Sequence, residues 1–168
     1  MPKVAIILGS KSDLPVIIET IKILKHFQID IDVQVLSAHR TSEKANAFAK
    51  NAEQENIEVI IAAAGKAAHL PGVIAASTVI PVIGLPVKSS TLDGIDSLLS
   101  IVQMPAGIPV ATVAINGSEN AALLAIQILS LRYPELVKAL KEYKIKLGND
   151  VYEQNLYVQK ELEKLWKN

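Results

Sequence analysis

The chain contains no cysteine. That excludes a disulfide framework, a thiolate metal site and a cysteine nucleophile. Aromatic side chains make up only 4% of its 168 residues, too few for a stacking platform on flavin or single-stranded nucleic acid. Neither sign of charge dominates, with 17 Lys and Arg against 17 Asp and Glu, so nothing in the balance points to nucleic acid or an anionic membrane as partner. Long hydrophobic runs are missing too: the apolar stretches are short and punctuated, and none is read as spanning a bilayer. The start, Met1-Pro2-Lys3-Val4, runs straight into a strand and is not read as a signal peptide. A soluble, cytoplasmic protein is expected. There is no internal repeat and no low-complexity segment.

Half of the residues are hydrophobic. At this length one domain, 1–168, is expected, large enough to bury a real core. High apolar content with few charges also points to apolar surface buried between subunits.

Short apolar runs alternate with helical patterns. Val4 to Leu8 reads as a central strand, Ile29 to Leu36 as a second buried strand, Ile57 to Ala62 as a third, Val82 to Val87 as a fourth with irregular ends at Pro81 and Pro86, and Val110 to Ile115 as a fifth. Helices are predicted from Leu14-Pro15 to about Phe27 with Ser12 or Asp13 as cap, Thr41 to about Gln54, Pro71 to Ser77, Asp93 to Gln103, and Asn120 to about Leu131. The alternation predicts an α/β fold: a three-layer α/β/α sandwich on a parallel, flavodoxin-like sheet of order 2-1-3-4-5. Past Pro134 the pattern becomes two helical stripes separated by a break at Gly148-Asn149-Asp150, a C-terminal helical extension over 134–168. It packs back on its own domain or reaches a neighbouring subunit as an oligomer contact.

Polar residues gather where strands end, the edge at which open α/β sheets bind ligands. Gly9-Ser10-Lys11-Ser12-Asp13 joins a strand to a helix start and suits an anion, with Ser10 and Ser12 as hydroxyl donors and Asp13 as an acceptor for a sugar hydroxyl. The same residues also make an ordinary capped turn. The loop lacks the paired glycines of a Walker sequence and the three-glycine dinucleotide fingerprint. Ser37-Ala38-His39-Arg40-Thr41 brings a proton-exchanging imidazole beside a guanidinium fork. In the third loop, Ala63 to Gly72, small residues permit close backbone approach, and His69 either points into the same cleft or holds the loop. His26, inside a predicted helix, is read as solvated or structural. Asp93 and Asp96 are read as capping residues, since no further ligand-type residue clusters with them in sequence.

Taken together, Gly9–Asp13, Ser37–Thr41, Ala67-Ala68-His69-Leu70-Pro71-Gly72 and Asp96-Ser97-Leu98-Leu99-Ser100-Ile101-Val102-Gln103-Met104-Pro105, the last followed by Gly107-Ile108-Pro109-Val110-Ala111-Thr112, resemble the N5-carboxyaminoimidazole ribonucleotide mutase (class I) branch of the phosphoribosylaminoimidazole carboxylase family. The likeness covers Val4 to Leu131. It implies an isomerase of de novo purine (IMP) biosynthesis that moves a carboxylate from the exocyclic nitrogen to carbon 4 of the imidazole, giving 4-carboxy-5-aminoimidazole ribonucleotide. It implies no metal and no organic cofactor, and a homo-octamer with sites between subunits. By the same resemblance His39 is the general acid/base, Ser10, Ser12 and Arg40 hold the phosphate, Asp13 the ribose, and Ser37 lines the base. Gly65, Lys66, Ala67, His69 and Leu70 wrap the base and carboxylate.

The chain departs from the family in its third loop, where Ala63 and Lys66 stand at usual glycine positions. A left-handed Lys66 would cost roughly 1–2 kcal/mol. The family's other branch carboxylates aminoimidazole ribonucleotide directly with carbon dioxide and typically carries lysine where this chain has Arg40. Two alternatives remain: that direct carboxylase, or a non-catalytic mononucleotide- or flavin-binding module.

Overall fold

The sheet is organised around β1 (Lys3–Leu8), a six-residue run whose Val4, Ala5, Ile6 and Ile7 are shut from solvent. The computed structural model describes residues 1–90 and 92–166. They divide into two compact units, the first Met1–Leu129 and the second from Ser130 onward.

In the first unit β1 pairs in parallel with β2 (Asp30–Val35) on one side and β3 (Val59–Gly65) on the other. β3 pairs with β4 (Val82–Val87), which pairs with the two-residue β5 (Ala111–Thr112). The order is therefore 2-1-3-4-5, all parallel. The helices α1 (Leu14–His26), α2 (Ser42–Asn51), α3 (Leu70–Ala75), α4 (Ile95–Val102) and α5 (Ser118–Ser130) follow β1 to β5 in turn. Side chains alternate across a strand, so each inner strand feeds two cores. One joins Ala5, Ile7, Ile60, Ala62 and Val82 to Ala45 and Ala49 of α2, Ile74 of α3 and Ile101 of α4. On the other side α1 and α5 are tied where Thr20, fully buried, donates its hydroxyl to the carbonyl of Ser118 at 2.8 Å.

Gly84 is set by that packing. A Cβ there would come within 2.3 Å of Ile101 Cγ2 and 2.9 Å of Val110 Cγ1. Only a glycine lets α4 lie this close to β4.

Several sequence expectations change. β2 is not a buried strand: it is an edge, with Val33 42% and Val35 55% exposed. Its alternating aspartates, Asp30 and Asp32, fit an edge that must not recruit another strand. β3 runs on to Gly65, because Ala63, Ala64 and Gly65 pair with Leu85, Pro86 and Val87. β4 is regular through Pro86, and β5 is shorter than Val110–Ile115. Those two findings share one cause. Val113 N donates to Gly84 O at 3.1 Å, so the next ladder bond on that flank would need an N–H from Pro86, which has none.

In the second unit α6 runs from Pro134 to Trp166 without a break at Gly148-Asn149-Asp150. A single glycine inside a helix costs only about 1 kcal/mol, and no proline follows to stop it. Ile145, Val151, Tyr152, Leu156, Tyr157 and Leu165 are exposed along it. The last two residues of the expected tail, Lys167 and Asn168, lie outside the described residues. Among the described residues no helix is long and apolar enough to cross a membrane.

Candidate functional site

The carboxyl ends of β1, β3 and β4 and the loop after β2 surround a cavity of about 540 Å³. Ser10, Ser12, Asp13, Ser37, His39, Arg40, Gly65, Lys66, Ala67, His69 and Leu70 all line it, so every site residue expected from the sequence is brought to one place. The strand order puts β1 between β2 and β3, which is why loops distant in sequence share a wall.

The first wall is a short 3-10 turn, Lys11–Asp13, ahead of α1. The turn is capped by Ser10: Ser12 N donates to Ser10 Oγ at 3.3 Å while Ser10 N donates to Asp13 Oδ2 at 3.0 Å. This reciprocal arrangement satisfies two helix-start donors at once. Asp13 holds the N-cap position of α1 itself, as expected, without a side-chain cap bond to that helix. The Ser12 hydroxyl lies 3.0 Å from Ser10 Oγ and 3.3 Å from Asp13 Oδ1. Asp13 is almost buried, and that burial raises its carboxyl above the ordinary aspartate range, opposed by the bonds from Ser10 N–H and the Ser12 hydroxyl.

Ser37 organises the second wall. Its Oγ accepts from Arg40 N at 3.1 Å, its carbonyl from Thr41 N at 3.0 Å, and its own N–H donates to Thr41 Oγ1 at 2.9 Å. The turn these bonds close presents His39 and Arg40 outward, both exposed. In the third wall Lys66 has φ of +56°, the left-handed conformation that favours glycine. His69 precedes α3 and makes no side-chain cap bond to it, so the imidazole is available elsewhere. It is used across the cavity: His39 Nε2 and His69 Nδ1 are 2.8 Å apart, with the rings nearly perpendicular.

A fourth wall was missed in the sequence reading. Val87, Lys88 and Ser89, at the end of β4, also face the cavity. The register pairing Gly65 with Val87 puts the two strand ends side by side, and the polar run Lys88-Ser89-Ser90 was the available signal. This wall is braced from behind. Ser97, fully buried in α4, directs its hydroxyl at the Val87 carbonyl, 3.0 Å away, and at Gly94 O, 2.8 Å away. Lys88 N donates to Asn116 Oδ1 at 2.9 Å. Lys88 Nζ pairs with Asp93 at 3.0 Å, and Ser89 Oγ reaches Asp96 Oδ2 at 3.3 Å, so the two aspartates serve the wall rather than stand as a pair of their own. Asp93 sits in a turn where Leu92, Asp93 and Gly94 all have positive φ. At Gly94, φ +94°, a Cβ would also meet Ile115 Cγ2 at 2.8 Å. His26 lies exposed in the last turn of α1, outside this cavity.

Arg40, Lys66 and Lys88 thus face a single carboxylate, Asp13, among the lining residues. Three cations, serine hydroxyls and a helix start make a site for a small, multiply anionic ligand. The paired imidazoles add a group able to give and take a proton. Among the described residues there is no cluster of three or more His, Cys, Asp or Glu placed to hold a metal.

Comparison with known proteins agrees with this fold. The chain is 62% identical over 144 residues to an N5-carboxyaminoimidazole ribonucleotide mutase of Pyrococcus abyssi, covering 86% of this chain and 83% of the relative. It is 57% identical over 153 residues to the protein of the same name from Thermotoga maritima, covering 91% and 90%. The crystal structure of Treponema denticola PurE superposes with a TM-score of 0.83 at 30% identity, covering 91% of this chain and 96% of that one. A family model described as AIR carboxylase matches residues 3–150, and the chain belongs to that family.

Proposed function

We propose that the protein is an N5-carboxyaminoimidazole ribonucleotide mutase of purine biosynthesis, with His39 as its general acid/base. The names of the relatives support the reaction. The observation that carries the site is the meeting of His39 with His69 in a cavity flanked by Arg40, Lys66 and Lys88. In this reading Ser10, Ser12 and Arg40 hold the phosphate, Asp13 the ribose, and Ser37 lines the base. The loop from Gly65 to Leu70 wraps the base and the carboxylate.

His39 as imidazolium gives a proton to the exocyclic nitrogen as its bond to the carboxylate breaks and carbon dioxide leaves. Carbon 4, electron-rich as an enamine, attacks the carbon dioxide. Neutral His39 then takes the carbon 4 proton and the ring regains aromaticity. One group serves both transfers, so the net proton count is zero. Loss of carbon dioxide competes with its capture, so enclosure matters more than base strength. The working form in this reading is a homo-oligomer, an octamer. Its support here is the stripe of exposed Ile95, Leu99 and Val102 at helical spacing along α4, with Leu92 also exposed in the turn before it.

A paired rate assay tests the reaction. One cell receives N5-carboxyaminoimidazole ribonucleotide; the other receives aminoimidazole ribonucleotide with low bicarbonate. Product above background in the first cell, formed far faster than in the second, is expected of a mutase. Faster product in the second assigns a direct carboxylase. Folded protein silent in both would leave a nucleotide-binding module.

A further inference from the structure

The loop after β3 carries a lysine where its backbone favours glycine. Lys66 has φ of +56°, a conformation that a residue with a Cβ adopts at a cost. The turn enforces it: Ala68 N donates to Lys66 O at 2.8 Å and His69 N to Ala67 O at 2.9 Å, just after Gly65 has paired with Val87 of β4. Glycine would fit there without strain. Backbone strain of this kind gathers at ligand sites.

The strained residue is also a cation without a partner. Lys66 is exposed on the cavity and its side chain makes no ion pair or hydrogen bond with any described residue. Lys88, at the next strand end, is already engaged by Asp93 at 3.0 Å. The strand order sets the polar groups along the edge as Arg40 after β2, Ser10 and Ser12 after β1, Lys66 after β3 and Lys88 after β4. Neighbouring strands lie about 4.8 Å apart, which separates the ends of β2 and β3 by about 10 Å. A phosphate seated at Ser10, Ser12 and Arg40 therefore leaves the Lys66 end of the edge for a second anionic group.

We propose that Lys66 is a specificity-determining residue whose ammonium binds the carboxylate carried on the imidazole, so that the protein tells a carboxylated nucleotide from one that has lost carbon dioxide. The inference rests on the mutase reading for the identity of the ligand. In that ligand the phosphate and the carboxylate stand at opposite ends with the ribose between them, as the two cationic ends of the edge require. The carboxylate starts on the exocyclic nitrogen and finishes on carbon 4, neighbouring positions of one ring. A flexible four-carbon stem lets one ammonium meet it at both. Neutral carbon dioxide offers that ammonium no charge, so the contact favours the two carboxylated nucleotides and not the step between them.

Calorimetry with 4-carboxy-5-aminoimidazole ribonucleotide and with aminoimidazole ribonucleotide tests the proposal, at physiological ionic strength so that distant charges are screened. Wild type should bind the carboxylated nucleotide more tightly. Lys66→Met keeps the stem and loses the charge. Its affinity for the carboxylated nucleotide should fall about tenfold, and that for aminoimidazole ribonucleotide by less than about twofold. Lys66→Gly, free of the backbone strain, should show the same selective loss, so the result does not hang on the stability of the methionine protein. In turnover of N5-carboxyaminoimidazole ribonucleotide, Lys66→Met should raise KM about tenfold without lowering kcat. Equal losses for the two nucleotides would assign Lys66 to the phosphate and overturn the proposal. Undiminished affinity for the carboxylated nucleotide, or a tenfold fall in kcat, would overturn it as well. If wild type converts neither nucleotide and both variants still show the selective loss, the mutase reading fails and the carboxylate contact stands.

Discussion

Ser10 and Asp13 cap one another: the Ser10 N–H donates to Asp13 Oδ2 at 3.0 Å in the turn that Ser10 opens. The carboxylate is nevertheless a cost to the fold. Burial raises its pKa above the ordinary value more than the two hydrogen bonds lower it. The folded chain therefore holds the Asp13 proton more tightly than the unfolded one. Its contribution to stability is most favourable below the unfolded aspartate value, falls as pH rises through the folded value, and stays low above it. Asp13→Asn should accordingly be more stable than wild type at pH 7, by a margin that shrinks toward pH 4, as read from urea midpoints. Its affinity for nucleotide should fall, because an amide is a poorer acceptor for ribose hydroxyls. A variant less stable than wild type at pH 7 would mean the cap outweighs the burial.

Removing the imidazole of His39 separates chemistry from binding. His39→Asn should still bind product nucleotide in calorimetry, since Ser10, Ser12 and Arg40 remain. Its turnover should fall by about 10²–10⁴-fold, the span of general acid–base catalysis. Near-normal turnover would reassign the proton transfers.

Lys66 supplies a test of backbone strain. Replacing it by glycine relieves roughly 1–2 kcal/mol of left-handed cost but adds roughly 0.5–1 kcal/mol of unfolded-chain freedom, leaving a gain of roughly 0–1.5 kcal/mol. Lys66→Gly should raise the denaturant midpoint without changing the slope of the transition. Removing the ammonium should also weaken binding of the anionic nucleotide, so stability and KM should rise together. An unchanged midpoint would mean that the lysine stem packs well enough to offset its strain.

Gly84 tests the seat of α4. A methyl group there has to displace Ile101 and Val110, both closer than 3.0 Å to the new atom. Overpacking of this kind costs about 1–3 kcal/mol. Thermal unfolding of Gly84→Ala should show that loss. Because α4 carries Ser97, which braces the end of β4, kcat should fall as well.

The strand order could be read from the chain because the inner strands announce themselves: Val4–Leu8 and Val82–Val87 are apolar on both faces and punctuated at their ends. The first three loops were legible for a related reason, since serine, histidine and arginine stand out just where those runs stop. Lys88 and Ser89 did not stand out. Their place on the cavity depends on the register of Gly65 with Val87, a long-range pairing that no local pattern records. The exposure of β2 was misread from its apolar residues, although Asp30, Asp32 and Gln34 alternate with them as on a half-exposed strand. Gly148 was read as a stop because glycine so often ends a helix, yet without a following proline its cost was too small to break one.

All of the cavity's lining falls between Gly9 and Ser89. The parts that steady its β4 wall, Ser97 and Asn116, come later in the chain. During synthesis from the amino terminus, every ligand-facing group leaves the ribosome before the parts that hold one side of them in place. The β4 wall is therefore completed late in the birth of the protein, with the emergence of α4 and the turn after β5 rather than with the appearance of the lining groups themselves.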